Sequence, residues 1–147
     1  MWAGLGELPS YISFRGDGMS VPMFWREIPS RYNLSGSRCT MCGAYHYPAR
    51  NICPKCRRSG KIEPYNFGGT GEVVTYTVVN TPAKRFEKYT PYILAIIKLD
   101  EGPMLTAQLV CEPDDVRIGM RVRAVFRKMG ESGERGIIYY GTKFVPA

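Results

Sequence analysis

Apolar residues recur at two different periods along this chain, and the period changes at a run of glycines. In the first part, Phe24, Trp25, Ile28 and Tyr32 fall at helical spacings and form an apolar stripe. Ser20 is placed to cap a helix starting near Pro22, because a serine oxygen accepts an unpaired N–H and proline is tolerated in the first turn. Pro29 lies inside the stripe and is expected to end or kink the helix near Ile28. Residues 20–37 therefore read as a broken helical segment, with Trp25 as a packing anchor. Residues 1–19 are glycine-rich and without periodicity, consistent with an extension, a flexible lead-in or a partner-binding arm.

After the joint Phe67-Gly68-Gly69-Thr70-Gly71 the pattern becomes that of strands. Gly71–Thr81 is rich in Val, Thr and Tyr, which suit a pleated, half-buried surface. Tyr92–Leu99 is almost wholly apolar and reads as a strand buried on both faces. Leu105–Glu112 follows the turn cluster Asp100-Glu101-Gly102-Pro103. Arg121–Lys128 alternates, with Val122, Ala124 and Phe126 facing one way. Gly136–Phe144 is the last strand, after a turn at Gly130–Gly133. Pro113–Gly119 reads as a turn or a single helical turn. Five short strands with no helix long enough for a parallel crossover close most readily into a small barrel, which removes exposed edges. The fold expected is mainly β: a five-stranded OB-fold barrel over residues 67–147, preceded by a rubredoxin-like zinc ribbon at 38–66.

The ribbon follows from the cysteines. Four of the five form two Cys-x-x-Cys pairs, Cys39/Cys42 and Cys53/Cys56, with ten residues between Cys42 and Cys53. Each pair sets two sulphurs on one tight turn, and two such turns complete a tetrahedral thiolate shell with metal–sulphur bonds of about 2.3 Å. Gly43 lets the first turn take a positive φ, and Pro54 stiffens the second. Four thiolates leave no open position for water or substrate, so the expected ion is a structural zinc, with a rubredoxin-type iron site or free thiols as the other readings. His46, the sole histidine, reads as a neighbour of the site or a surface residue. Cys111 reads as a buried structural thiol. A thioredoxin-like redox role would need a strand–helix–strand pattern that is missing here, and metal-bound thiolates suit a reducing compartment.

Charge adds a basic patch. The net charge is +7, and residues 1–66 carry nine Lys/Arg against four Asp/Glu, with Arg50, Lys55, Arg57, Arg58 and Lys61 crowded around the second cysteine pair. Such a surface attracts phosphate, or serves simply as a solvated face. No apolar run approaches a membrane span and the start lacks a secretory signal, so a cytoplasmic protein is expected. No Ser-His-Asp or Cys-His set suggests itself, Asp100-Glu101 and Asp114-Asp115 lie in turns, and Gly68–Gly71 leads into a strand rather than a phosphate-cradling helix. The reading is of a binding or scaffolding module, not an enzyme.

The order of these parts is itself distinctive. The run Arg38-Cys39-Thr40-Met41-Cys42-Gly43, then Tyr47-Pro48-Ala49-Arg50 before Cys53-Pro54-Lys55-Cys56, then Gly71-Glu72-Val73-Val74-Thr75-Tyr76 resembles the zinc-ribbon plus OB-fold family of thiolase- and acyl-CoA-associated proteins. Pro91–Ala95, Asp115–Val122 and the ending Phe144-Val145-Pro146-Ala147 extend the likeness over about residues 20–147. The resemblance implies a partner subunit that bridges enzymes of the thiolase or hydroxymethylglutaryl-CoA synthase kind, or acyl-CoA hydratases, and helps hold coenzyme A or acyl-CoA. Within the loop joining the first two strands, Lys84 and Arg85 would then meet CoA phosphates while Phe86 or Tyr89 stacks on adenine or docks on a partner. The alternative reading is a single-stranded nucleic-acid binder, with Tyr76, Tyr139 and Tyr140 as stacking platforms.

Overall fold

A computed structural model describes residues 21–81, 90–131 and 138–147 of the chain. The expected extension at 1–19, the cap at Ser20 and the loop residues Lys84, Arg85, Phe86 and Tyr89 lie outside the described residues. The elements run α1 (Val21–Asn33), β1 (Ser35–Cys39), β2 (Tyr45–His46), β3 (Ile62–Asn66), β4 (Thr70–Val79), β5 (Tyr92–Leu99), β6 (Met104–Leu109), β7 (Arg121–Glu131) and β8 (Ile138–Pro146). A single 3₁₀ turn at Pro113–Asp115 fills the gap between β6 and β7.

The last five strands form a closed barrel in the order β4-β5-β6-β8-β7, with β7 pairing back to β4 through Gly71↔Val122. Numbered within the barrel this is 1-2-3-5-4-1, the OB-fold order. Neighbours are antiparallel except β6 and β8, which meet in parallel at Leu109↔Phe144 and close the barrel. Inside sit Val73, Ile93, Ala95, Ile97, Leu99, Leu105, Leu109, Val122 and Phe144, with Val116 from just after the 3₁₀ turn. At the β4–β7 seam, Asp100 takes a bidentate hydrogen bond from Arg121, at 2.7 and 2.9 Å, and accepts another from the Thr70 hydroxyl. These bonds hold its carboxyl down at about 2.

Three expectations are corrected here. Tyr92–Leu99 is not buried on both faces: Ile93, Ala95, Ile97 and Leu99 point inward, whereas Leu94 is half-buried and Ile96 and Lys98 are exposed. A small barrel has one inside, so even an apolar strand must turn every second residue outward. Nor does Pro29 end the helix, because α1 continues through it to Asn33. Its last turn is held from outside: the Tyr47 hydroxyl donates to the Ser30 carbonyl at 3.1 Å, and the Thr142 hydroxyl to the Arg31 carbonyl at 2.8 Å. Those are among the carbonyls that a helix end leaves unpaired. Leu34, with φ 49°, then turns the chain in the left-handed conformation that terminates many helices. Trp25 is not the packing anchor expected, being 67% exposed; Tyr32, of the same stripe, packs edge-on to Phe126 with ring centroids 4.9 Å apart.

The ribbon is a three-stranded sheet of order β2-β1-β3. Its inner side carries Tyr45, Tyr47 and Tyr65, whose rings meet Phe67 with centroids 6.2, 6.0 and 5.2 Å away. Phe67 is buried in the cluster that fills the barrel, so one apolar core runs through both parts. Gly36 makes room for it, since a Cβ there would fall 2.4 Å from the Phe67 ring.

Candidate metal centre

The two cysteine pairs sit on two turns of the same construction. In the first, the Gly43 N–H donates to the Cys39 carbonyl at 2.8 Å; in the second, the Arg57 N–H donates to the Cys53 carbonyl at 2.8 Å. Each turn is closed by a residue of positive φ, 70° at Gly43 and 49° at Arg57. A left-handed glycine is readable from sequence, but an arginine in that conformation is not. The Thr40 N–H bonds the Lys61 carbonyl at 3.0 Å, tying the first turn to the chain leaving the second.

This brings the sulphurs of Cys39, Cys42, Cys53 and Cys56 within 4.8 Å of one another, with Cys42 and Cys53 3.6 Å apart. Four sulphurs about 2.3 Å from a central zinc would be separated by about 3.8 Å, so the gathered set fits the ion. The shell is closed on its protein side: Cys39 and Cys53 are buried and Cys56 half-buried. His46 stands outside the set, on β2 opposite Ser37.

Thiol chemistry points the same way. The Cys39 thiol is held down at about 7, chiefly by the Cys42 N–H, against the opposing pull of burial and with further help from the Met41 N–H and the Cys42 and Cys53 thiols. Cys56 is pushed up to about 12 by its hydrogen bond with Cys42, by burial and by its hydrogen bond with Cys39. Four crowded sulphurs do not all ionise by themselves, and a dication is what makes four thiolates stable together. Cys111 is half-buried against the barrel core, its thiol raised by burial and by Asp115 and Glu112.

Gly60 is a residue of the site that the sequence did not reveal. A Cβ there would lie 2.9 Å from Cys53 Cβ, 3.2 Å from Cys56 Cβ and 3.3 Å from the Arg57 carbonyl oxygen. Gly60→Ala must push the second turn off its position, and overpacking of this kind costs about 1–3 kcal/mol. Zinc affinity, measured by competition with a chromogenic chelator, is expected to fall roughly tenfold or more; unchanged affinity would mean the turn moves aside freely.

Among the proposed stacking tyrosines, Tyr76 is partly exposed, Tyr139 is buried, and Tyr140 lies flat on Phe126 with centroids 5.3 Å apart. A mainly apolar cleft of about 310 Å³ opens where β6 and β8 diverge, lined by Arg31, Leu34, Tyr47, Leu105, Met129 and Phe144 among others. No helix among the described residues is long and apolar enough to cross a membrane.

Comparison with known proteins gives matches along most of the chain. The sequence model of the ChsH2 rubredoxin-like zinc ribbon domain matches residues 26–63, and that of the ChsH2 C-terminal OB-fold domain matches residues 65–127. A DUF35 domain-containing scaffold protein of Methanothermobacter thermautotrophicus is 51% identical over 123 residues, 83% of this chain and 92% of the relative. A protein of the same description from Methanocaldococcus jannaschii is 52% identical over 123 residues, covering 83% of this chain and 87% of the relative. A probable enoyl-CoA hydratase alpha subunit of Thermomonospora curvata is 36% identical over 101 residues, 67% of this chain but 31% of that protein. Among solved structures, a chain of the Ltp2-ChsH2(DUF35) aldolase superposes with a TM-score of 0.63 at 29% identity, covering 84% of this chain and 90% of that one.

Proposed function

The chain belongs to the family of DUF35 domain-containing scaffold proteins, and from that premise we propose that it is a non-catalytic, zinc-stabilised partner subunit of a thiolase-type acyl-CoA enzyme complex. The observation that carries this is identity of 51% over nearly the whole length of a scaffold protein. Geometry supports it: the metal-ligand cluster found among the described residues is a closed four-cysteine shell, which builds structure and leaves no site for substrate. Two further relatives support an acyl-CoA or carbon–carbon-bond setting by their descriptions alone, one as a probable enoyl-CoA hydratase subunit and one as an aldolase complex.

Within such a complex, Lys84 and Arg85 are proposed to meet the phosphates of CoA, and Phe86 or Tyr89 its adenine or the partner. The test is co-purification of the tagged chain from its native extract, followed by CoA titration of whatever enzyme assembly is recovered. A thiolase or hydroxymethylglutaryl-CoA synthase-like enzyme in stoichiometric amount is the expected result, with CoA affinity reduced in a Lys84→Ala/Arg85→Ala double variant. Nucleic acid recovered in place of an enzyme would make the barrel a single-strand binder and remove the proposal.

A further inference from the structure

The metal-bearing end of the ribbon combines two features that a solvated face does not need. From Arg50 to Lys61 the chain has five basic residues and no acidic one, and Arg50, Lys55, Arg57, Arg58 and Lys61 are all exposed. None of the five makes an ion pair within the described residues. A zinc held by four thiolates carries formal charge −2, which still leaves this end cationic. On the same end stand two large aliphatic side chains in water: Met41 is 62% and Ile52 67% exposed. Each flanks a cysteine of the Cys42–Cys53 pair, whose sulphurs are 3.6 Å apart. Neither belongs to the core cluster.

The backbone beneath is fixed by the paired turns and the Thr40–Lys61 hydrogen bond, so little order would have to be imposed on binding. Apolar anchors within a charged rim are the usual build of a protein–protein contact. A single-strand nucleic-acid site, by contrast, relies on exposed aromatic platforms. The rings nearest this end are engaged: Tyr45 lies under the Arg38 guanidinium at 5.4 Å and against Tyr65 at 4.8 Å.

We infer that the cysteine-turn end of the ribbon, through Met41, Ile52, Lys55 and Arg58, docks on an acidic protein surface bearing an apolar socket, on the enzyme this subunit accompanies. The inference rests on the partner-subunit reading above and names the face that makes the contact. The outer barrel face, with Val74, Tyr76, Ile96 and Met104 partly exposed, is the comparison surface.

The experiment uses the full chain and the thiolase-type enzyme of its own source, with dissociation constants measured at low and high salt. Wild type is compared with Met41→Ser/Ile52→Ser, Lys55→Glu/Arg58→Glu and Tyr76→Ser/Ile96→Ser. Arg57 is left alone because of its left-handed backbone. Zinc content is measured for each, and a variant that loses zinc is replaced by Arg50→Glu/Lys61→Glu. Wild-type binding that weakens with salt, a loss of roughly tenfold or more in each ribbon variant, and little change in the barrel variant are expected. Ribbon variants that bind like wild type, or a loss confined to the barrel variant, overturn the inference and leave the partner-subunit reading standing. No binding by wild type overturns both, as does ribbon-dependent binding of an oligothymidylate probe with no enzyme bound.

Discussion

Stripping the metal with a strong chelator, or replacing Cys53 with serine, is expected to unfold the ribbon while the barrel persists. The sheet β2-β1-β3 has only short strands: β1 pairs with β3 over five residues and with β2 over two. An assembly that small does not hold itself together, and structural zinc supplies about 10–16 kcal/mol in isolated zinc-finger peptides. The barrel owes nothing to the metal for its strand ladders, since β7–β8 alone pair from Val122↔Pro146 to Glu131↔Ile138. Hydrogen exchange should therefore rise steeply over residues 38–60 and spread into β1 and β3, while Ile93–Leu99 and Val122–Phe126 stay protected. Equal loss of protection in both parts would show that the ribbon is needed to close the barrel.

Phe67→Ala is expected to give the converse result, a large loss of stability with the metal retained. The ring is 6% exposed and is the point where Tyr45, Tyr47 and Tyr65 of the ribbon side join the barrel core. Truncation of a buried phenylalanine costs about 3–5 kcal/mol, against a total stability of about 5–15 kcal/mol for an ordinary domain. The melting temperature should fall by about 10 °C or more. Zinc stoichiometry should not change, because the four sulphurs are fixed by their own turns. A variant melting within a few degrees of wild type would mean that the tyrosines collapse into the vacated space. Gly36 shows how close the fit around the ring is: a Cβ at that position would fall 2.4 Å from it.

The two results bear on how a scaffold subunit is built. A rigid, metal-fixed end can present charged and apolar side chains without a core of its own, provided that its base is fused to something that has one. Phe67 is that fusion. The helix α1 contributes at the same junction, with two carbonyls of its last turn held by Tyr47 and Thr142, one from each part.

What the residues alone determined was whatever is local or strictly periodic. Two Cys-x-x-Cys pairs dictate turns that converge their sulphurs, and Gly43 supplies the positive φ one of those turns requires. Alternation in Arg121–Lys128 and the turn residues at Asp100–Pro103 placed strands and their breaks, and five short strands without a crossover helix left a closed barrel as the economical solution. The tertiary structure decided what depends on partners distant in sequence. Pro29 does not break α1, because hydroxyls 17 and 111 residues from their acceptors hold its last turn. Tyr92–Leu99 is apolar but for Lys98, yet only barrel closure shows which four residues face inward. Trp25 is largely exposed although its spacing fits a stripe, because periodicity places a residue on a face without saying what will cover it. Arg57 and Gly60 look like ordinary loop residues until the second cysteine turn folds back upon itself. The chain writes its short-range geometry directly into sequence, whereas burial is assigned only when the whole core has closed.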